Sequence, residues 1–150
     1  MTALATNRKA KFDYQILDKY EAGLVLSGLE VKSIKNGKMS LKGSYVTINK
    51  NEEVFLINAQ ITPFQIKNAP KDYQPDRTRK LLLHKKEIKN LIGKIKQKGL
   101  TLVPLRVYTK HRKLKLEFGL GQGKKKTDKR ESIKRREDER KIGRALRNRG

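Results

Sequence analysis

Large apolar side chains all but run out at Leu120. From Gln122 to Gly150 only Ile133, Ile142 and Leu146 are large and apolar, whereas 13 residues are Lys or Arg and 5 are acidic. Such a segment cannot bury enough surface to offset the entropy of ordering it. Whatever core the chain has must therefore be complete before residue 122. This predicts one compact unit over residues 1–121 and a basic tail over 122–150 that is disordered alone. The apolar content of 35% is enough for one modest core and not for two.

Charge then bounds the partners. The whole chain is +23; the tail carries +8 of this and the body +15, so basicity is not confined to the tail. A bare monomer would repel itself, and a polyanion is the natural counter-charge. RNA, DNA and an anionic membrane surface all qualify. A membrane anchor needs a continuous apolar stretch, but the densest one, Leu100 to Leu105, is interrupted by Thr101 and Pro104. Residues 1–13 hold no apolar run of signal-peptide length, so a cytoplasmic location is expected. With no cysteine, disulfides, thiolate metal sites and a cysteine nucleophile are excluded, and only His84 and His111 supply imidazoles. These histidines are far apart in sequence and have no nearby Ser/Asp order or carboxylate pair. Gly119, Gly121 and Gly123 before Lys124 superficially suggest a phosphate loop, but neither G-x-x-x-x-G-K-[ST] nor G-x-G-x-x-G is satisfied, and they read as a flexible hinge. The expectation is a binding protein with no catalytic residue, cofactor, metal or small-molecule substrate.

Periodicity supplies the elements. Phe12–Asp18 and Glu21–Leu26 read as two short strands, the second starting beside the Ala22-Gly23 turn signal. Glu30–Lys35 reads as a short helix stopped by Asn36-Gly37. Ser44–Asn49 and Glu53–Ile61 alternate around a polar loop, the pattern of an antiparallel hairpin. Pro63–Arg79 reads as a long surface loop. In Lys85–Lys98, Ile88, Leu91, Ile92 and Ile95 recur at helical spacing, with Gly99 as the stop. Thr101–Thr109 and Lys113–Leu120 form a second hairpin, in which Pro104 calls for an edge position or a bulge. The fold class is therefore mainly β with two or three helices, a small antiparallel OB-like β-barrel of about six strands.

Several strings occur in order along nearly the whole chain: Asn7-Arg8-Lys9-Ala10, EAGLVLSGLEVKSIKNGK (21–38), Ser44-Tyr45-Val46, ITPF (61–64), RTRKLLLHKKEI (77–88), the VPL of 103–105 and GKKKTDKRE (123–131). This ordered set resembles the SsrA-binding protein (SmpB) family. The resemblance implies an OB-like barrel that holds the transfer-RNA-like domain of transfer-messenger RNA and delivers it to stalled ribosomes for trans-translation. It also implies a monomer bound to one RNA, acting at the decoding centre and messenger channel against ribosomal RNA.

The family's RNA-binding positions fall by motif on Glu21, Leu82 and Lys115. Read without the family, Glu21 is a strand-end surface acid and Leu82 a core residue of the KLLL run. Lys115 alternates with Leu114 and Leu116 and so points outward on either reading. Tyr14, Tyr20, Tyr45, Tyr73 and Tyr108 offer stacking rings, although in a barrel they also read as half-buried wedges. In the tail the resemblance implies ribosome contacts by Lys124, Lys125, Lys126, Asp128, Lys129, Arg130, Ala145 and Leu146, the segment becoming helical on the ribosome. Glu131 with Arg135 and Glu137 with Lys141 have the acid-before-base spacing that supports such a helix. Thr127 stands where family members commonly carry His or Tyr, and Asp138 where some carry Trp.

Overall fold

The computed structural model describes residues 2–97 and 99–124. Along the chain come β1 (Ala3–Thr6), α1 (Ala10–Asp13), β2 (Tyr14–Leu24), α2 (Gly28–Lys35), β3 (Met39–Ser40), β4 (Tyr45–Ile48) and β5 (Val54–Ile57). They are followed by β6 (Gln60–Ile61), a single 3₁₀ turn at Ile66–Asn68, β7 (Arg79–Leu82), α3 (Lys85–Ile95), β8 (Leu100–Lys110) and β9 (Lys113–Gly123).

Seven strands form one antiparallel sheet in the order β1-β8-β9-β2-β7-β5-β4, and β3 pairs with β6 separately. The end strands β1 and β4 are not bonded to each other, but β4 packs against β8. The result is an OB-like barrel, open along one seam. Inside it, Phe118, Leu116, Val107, Leu56, Ile61 and Ile34 are fully buried, and Leu91 seals one side from α3. Burying each such side chain contributes roughly 1.5–3 kcal/mol.

Two helices fall where the sequence signals put them, α2 beginning two residues earlier, at Gly28, and α3 ending at Ile95. Ser27 and Glu30 form a reciprocal cap on α2, the Ser27 hydroxyl accepting from the Glu30 amide at 3.2 Å and the Glu30 carboxylate from the Ser27 amide at 3.0 Å. Gly37 ends that helix at φ 75°, a left-handed conformation open to glycine. The periodic run after His84 is α3, with Ile88 and Leu91 buried.

Four sequence expectations are corrected. Phe12–Asp18 and Glu21–Leu26 are not two strands: Phe12 and Asp13 lie in α1, and Tyr14–Leu24 is one continuous strand. Pairing with β9 from Tyr14 to Gly23 carries the chain through Ala22-Gly23 without a turn, with a bulge between Ile16 and Asp18. The Glu53–Ile61 run is broken at Asn58, which has φ 64°, so Val54–Ile57 and Gln60–Ile61 join different sheets.

Arg79 is not the end of a loop but the first residue of β7, and it is completely buried. Its Nε donates to Glu30 at 2.8 Å, and its Nη atoms donate to the carbonyls of Ala59 at 2.7 Å and Pro75 at 2.9 Å. Together with the Tyr73 hydroxyl on the Ile61 carbonyl at 2.8 Å, this fastens the long 62–78 connection to the barrel.

Gly119 and Gly121 are not a hinge. Both lie within β9 where it crosses the β2 bulge; a Cβ at 119 would fall 2.8 Å from Ile16 Cγ2, and one at 121 would fall 3.2 Å from Tyr14 Cβ and Val103 Cγ2. They are there so that three strands can approach closely. Pro104 lies where the β8–β9 register shifts, between Pro104 and Arg106, which is the bulge its missing N–H requires. β8 is not an edge strand, because β1 pairs along its other side.

Candidate nucleic-acid interface

Lys115 of β9 lies opposite Gly23 of β2, and Gly23 lies opposite Leu82 of β7. Residues directly opposite across a sheet project from the same face. The three positions therefore form one row on the outside of the barrel, which continues through Tyr108 of β8, opposite Lys115. Gly23 has no side chain to fill the middle of the row: a Cβ there would sit 3.4 Å from Leu82 Cβ and 3.8 Å from Lys115 Nζ. The row is thus a saddle with an apolar rim at Leu82 and a cationic rim at Lys115.

Leu82 is 54% exposed while Leu81 is 2% exposed. The reading of Leu82 as core fails because β7 alternates, burying Arg79 and Leu81 and turning Lys80 and Leu82 outward. Three successive leucines carry no visible phase; the pairing with β2 sets it. An exposed leucine beside a lysine can meet the sugar or face of an unstacked base.

Glu21 lies two residues before Gly23 and shares its face. The Tyr108 hydroxyl donates to Glu21 Oε2, and Lys110 Nζ lies 3.4 Å from Oε1. The Tyr108 donor, helped by Lys110 and the nearby charge of Lys115, holds the carboxyl below its ordinary range against the opposing effect of burial. Glu21 is therefore ionised at neutral pH. A carboxylate has about four acceptor positions, so it retains capacity for a base amino group or a ribose hydroxyl. Burial, and then the anionic Glu21, push the Tyr108 phenol well above the usual tyrosine range.

Next along the face, the Arg106 guanidinium makes two bonds to Glu117, at 3.3 and 3.2 Å, and lies 4.8 Å over the Tyr108 ring. Tyr108 is itself 2% exposed and so is a support for Glu21, not a stacking platform. Tyr20 is likewise engaged, stacked on Phe118 at 5.6 Å and hydrogen-bonded to Asp18 and Lys94. The supporting roles of Tyr108 and Lys110 escaped sequence reasoning. Their i,i+2 spacing on a hairpin strand was the available signal, but only the β8–β9–β2 register places them beside Glu21.

Beside this row lies a cleft of about 560 Å³ lined by Lys19, Glu21, Leu82, His84, Glu87 and Lys115 among others. The structure thus brings Glu21, Leu82 and Lys115 together and leaves Lys124 apart. The Lys124 amide donates to the Asp13 carbonyl at 2.9 Å, and its Nζ to the Lys11 carbonyl at 2.9 Å, at the far end of β9. Lys125, Lys126, Asp128, Lys129, Arg130, Ala145 and Leu146 lie outside the described residues, as does Thr127. Among the described residues no cluster of His, Asp and Glu could hold a metal ion, and no helix is long and apolar enough to cross a membrane.

Comparison with known proteins identifies the family. The family model described as SmpB protein matches residues 4–148. The SsrA-binding protein of Gloeothece citriformis (strain PCC 7424) is 52% identical over 143 residues, covering 95% of this chain and 92% of that one. The SsrA-binding protein of Enterococcus faecalis (strain ATCC 700802 / V583) is 52% identical over 145 residues, covering 97% and 93%. Among solved structures, a chain of "tmRNA-SmpB: a journey to the center of the bacterial ribosome" superposes with a TM-score of 0.67 at 44% identity, covering 85% of this chain and 92% of that chain. On sequence, fold and extent of match, the chain belongs to the SmpB family.

Proposed function

We propose that this chain binds transfer-messenger RNA and brings it to stalled ribosomes for trans-translation, the rescue of the ribosome with tagging of the incomplete peptide. The observation that carries this reading is the near-full-length likeness to SsrA-binding proteins at about half identity, joined by a solved SmpB neighbour whose description names tmRNA and the ribosome. The chain works by binding and positioning, not by chemistry on a substrate, and it does so in the cytoplasm as a monomer on one RNA.

Within that function, Glu21, Leu82 and Lys115 hold the transfer-RNA-like domain. Lys115 neutralises a phosphate, Leu82 packs against an unstacked nucleotide, and Glu21 accepts from a base or ribose donor. The tail from Lys124 onward, including Lys125, Lys126, Asp128, Lys129, Arg130, Ala145 and Leu146, engages the ribosome's decoding centre and messenger channel, where it becomes helical.

Affinity purification from cells followed by sequencing of bound RNA tests the reading. Transfer-messenger RNA should dominate; recovery of ribosomal RNA alone would refute it. Truncation after Lys124, which leaves β9 and its bond to Asp13 intact, should preserve binding to isolated transfer-messenger RNA and abolish peptide tagging. Full tagging by the truncated chain would remove the tail's assigned role.

A further inference from the structure

The Leu82–Gly23–Lys115 saddle has a second side. Across it lies a separate cleft of about 310 Å³, walled by Lys35, Arg112, Lys113 and Lys115 over an apolar floor that includes Leu26 and Val31. The first cleft contains the carboxylates Glu21 and Glu87, whereas no Asp or Glu lines the second. Lys35, Arg112 and Lys113 are exposed, and none is ion-paired with a carboxylate among the described residues.

These cations converge from distant parts of the chain. Lys35 is the last residue of α2, Arg112 occupies the β8–β9 turn, and Lys113 opens β9. The turn is also strained. Lys110 pairs with Lys113, leaving a two-residue connection in which His111 has φ 51° and Arg112 φ 64°. Asn-Gly adopts this geometry readily, while larger residues are disfavoured there. Residues held in such sparsely populated conformations cluster at functional sites. Here the side chain presented is a guanidinium at the wall of a cleft that has no anion of its own.

We propose that this second cleft is a phosphate subsite for an unpaired strand of the bound RNA, which crosses the saddle from the Glu21 side to the Lys35–Arg112–Lys113 side. The proposal rests on the RNA-binding function stated above and adds a division of labour to it. The Glu21 cleft offers the acceptor that can read a donor on a base or ribose, and the second cleft supplies sequence-independent charge. Lys115 borders both.

Affinity of the full-length protein for transfer-messenger RNA, measured across a potassium chloride series, distinguishes the two roles. Each phosphate contact on a single strand contributes about 0.7 to the slope of log affinity against log salt. The combined variant Lys35→Gln, Arg112→Gln, Lys113→Gln should therefore flatten the slope by about 2. The charge-matched variant Lys42→Gln, Lys50→Gln, Lys96→Gln, at residues that line neither cleft, should keep the wild-type slope. Lys35→Gln alone leaves the strained turn untouched and should flatten the slope by about 0.7, which decides the matter if the triple variant misfolds. An unchanged slope in folded Lys35→Gln and triple variants, or an equal loss in the charge-matched variant, would overturn the subsite. If wild-type protein shows no preference for transfer-messenger RNA over an unrelated RNA of equal length, the function itself fails instead.

Discussion

The Tyr108 hydroxyl reaches past β9 to donate to the Glu21 carboxylate on β2. Two strands that do not touch edge to edge are thus tied on the outer face at the position proposed to read the RNA. Tyr108→Phe removes that donor and leaves Lys110 as the remaining partner. A loss of about 1 kcal/mol in unfolding free energy is expected at neutral pH. Because the folded Glu21 carboxyl lies below its ordinary 4.5, the interaction stabilises fully above that value and fades as pH falls through the folded value. Urea unfolding should therefore show a difference between the two proteins at pH 7 that shrinks at pH 3; a constant difference would contradict the assignment.

Leu82→Ala should separate binding from folding. Leu82 is 54% exposed, so its truncation should shift stability by no more than about 0.5 kcal/mol. Affinity for transfer-messenger RNA should nevertheless fall about tenfold, the size of effect expected for a contact worth about 1.4 kcal/mol. A large drop in melting temperature with unaltered binding would mark Leu82 as structural.

Gly119→Ala should destabilise by about 1–3 kcal/mol through overpacking, since the new Cβ would meet Ile16 Cγ2 at 2.8 Å and the Asp18 carbonyl oxygen at 3.2 Å. Gly123→Ala, with nothing within 4 Å of its Cβ position, serves as the control and should melt near wild type. Equal melting temperatures for the two variants would restore the hinge reading.

Arg79→Ala leaves Glu30, itself 2% exposed, with only the half-exposed Arg77 as a charge partner at 2.5 Å. Loss of one member of a buried pair costs about 3–5 kcal/mol. Burial pushes the Glu30 carboxyl up, but the Arg77 donor, the Ser27 amide and Arg79 together outweigh it and hold it below 4.5. Its stabilisation is thus present above 4.5 and lost as pH falls through the folded value. Denaturation midpoints of the wild type should drop on acidification, and Arg79→Ala combined with Glu30→Gln should cost less than the sum of the single changes; strict additivity would argue against the pair.

What could be read from residues alone was what local periodicity determines. Ile88, Leu91, Ile92 and Ile95 announce α3, and the alternation on either side of His111 announces the β8–β9 hairpin. Asn36-Gly37 marks the end of α2. Strand β1 escaped notice because Ala-Leu-Ala-Thr has little β-preference and is held by its pairing with β8. Gly119 and Gly121 read as flexible in one dimension, yet their meaning lies in the bulge of β2, roughly a hundred residues earlier in the chain. For the site, the family motifs singled out Glu21, Leu82 and Lys115. That Leu82 and Lys115 share a row with Gly23 and Tyr108, and that Glu21 lies on the same face beside Tyr108 and Lys110, depends on the register of four strands.

The continuous pairing of β9 with β2 has a further consequence. Lys115 sits near one end of that ladder and Gly123 at the other, so at about 3.4 Å per residue the two are held about 27 Å apart. Lys124 is bonded to Asp13 at the far end, and residues 125–150 begin there. Strand β9 thus acts as a ruler between the saddle and the point where the basic tail departs. On the function proposed above, an RNA held at Leu82 and Lys115 would be gripped at one end of that strand while the basic residues leave from the other.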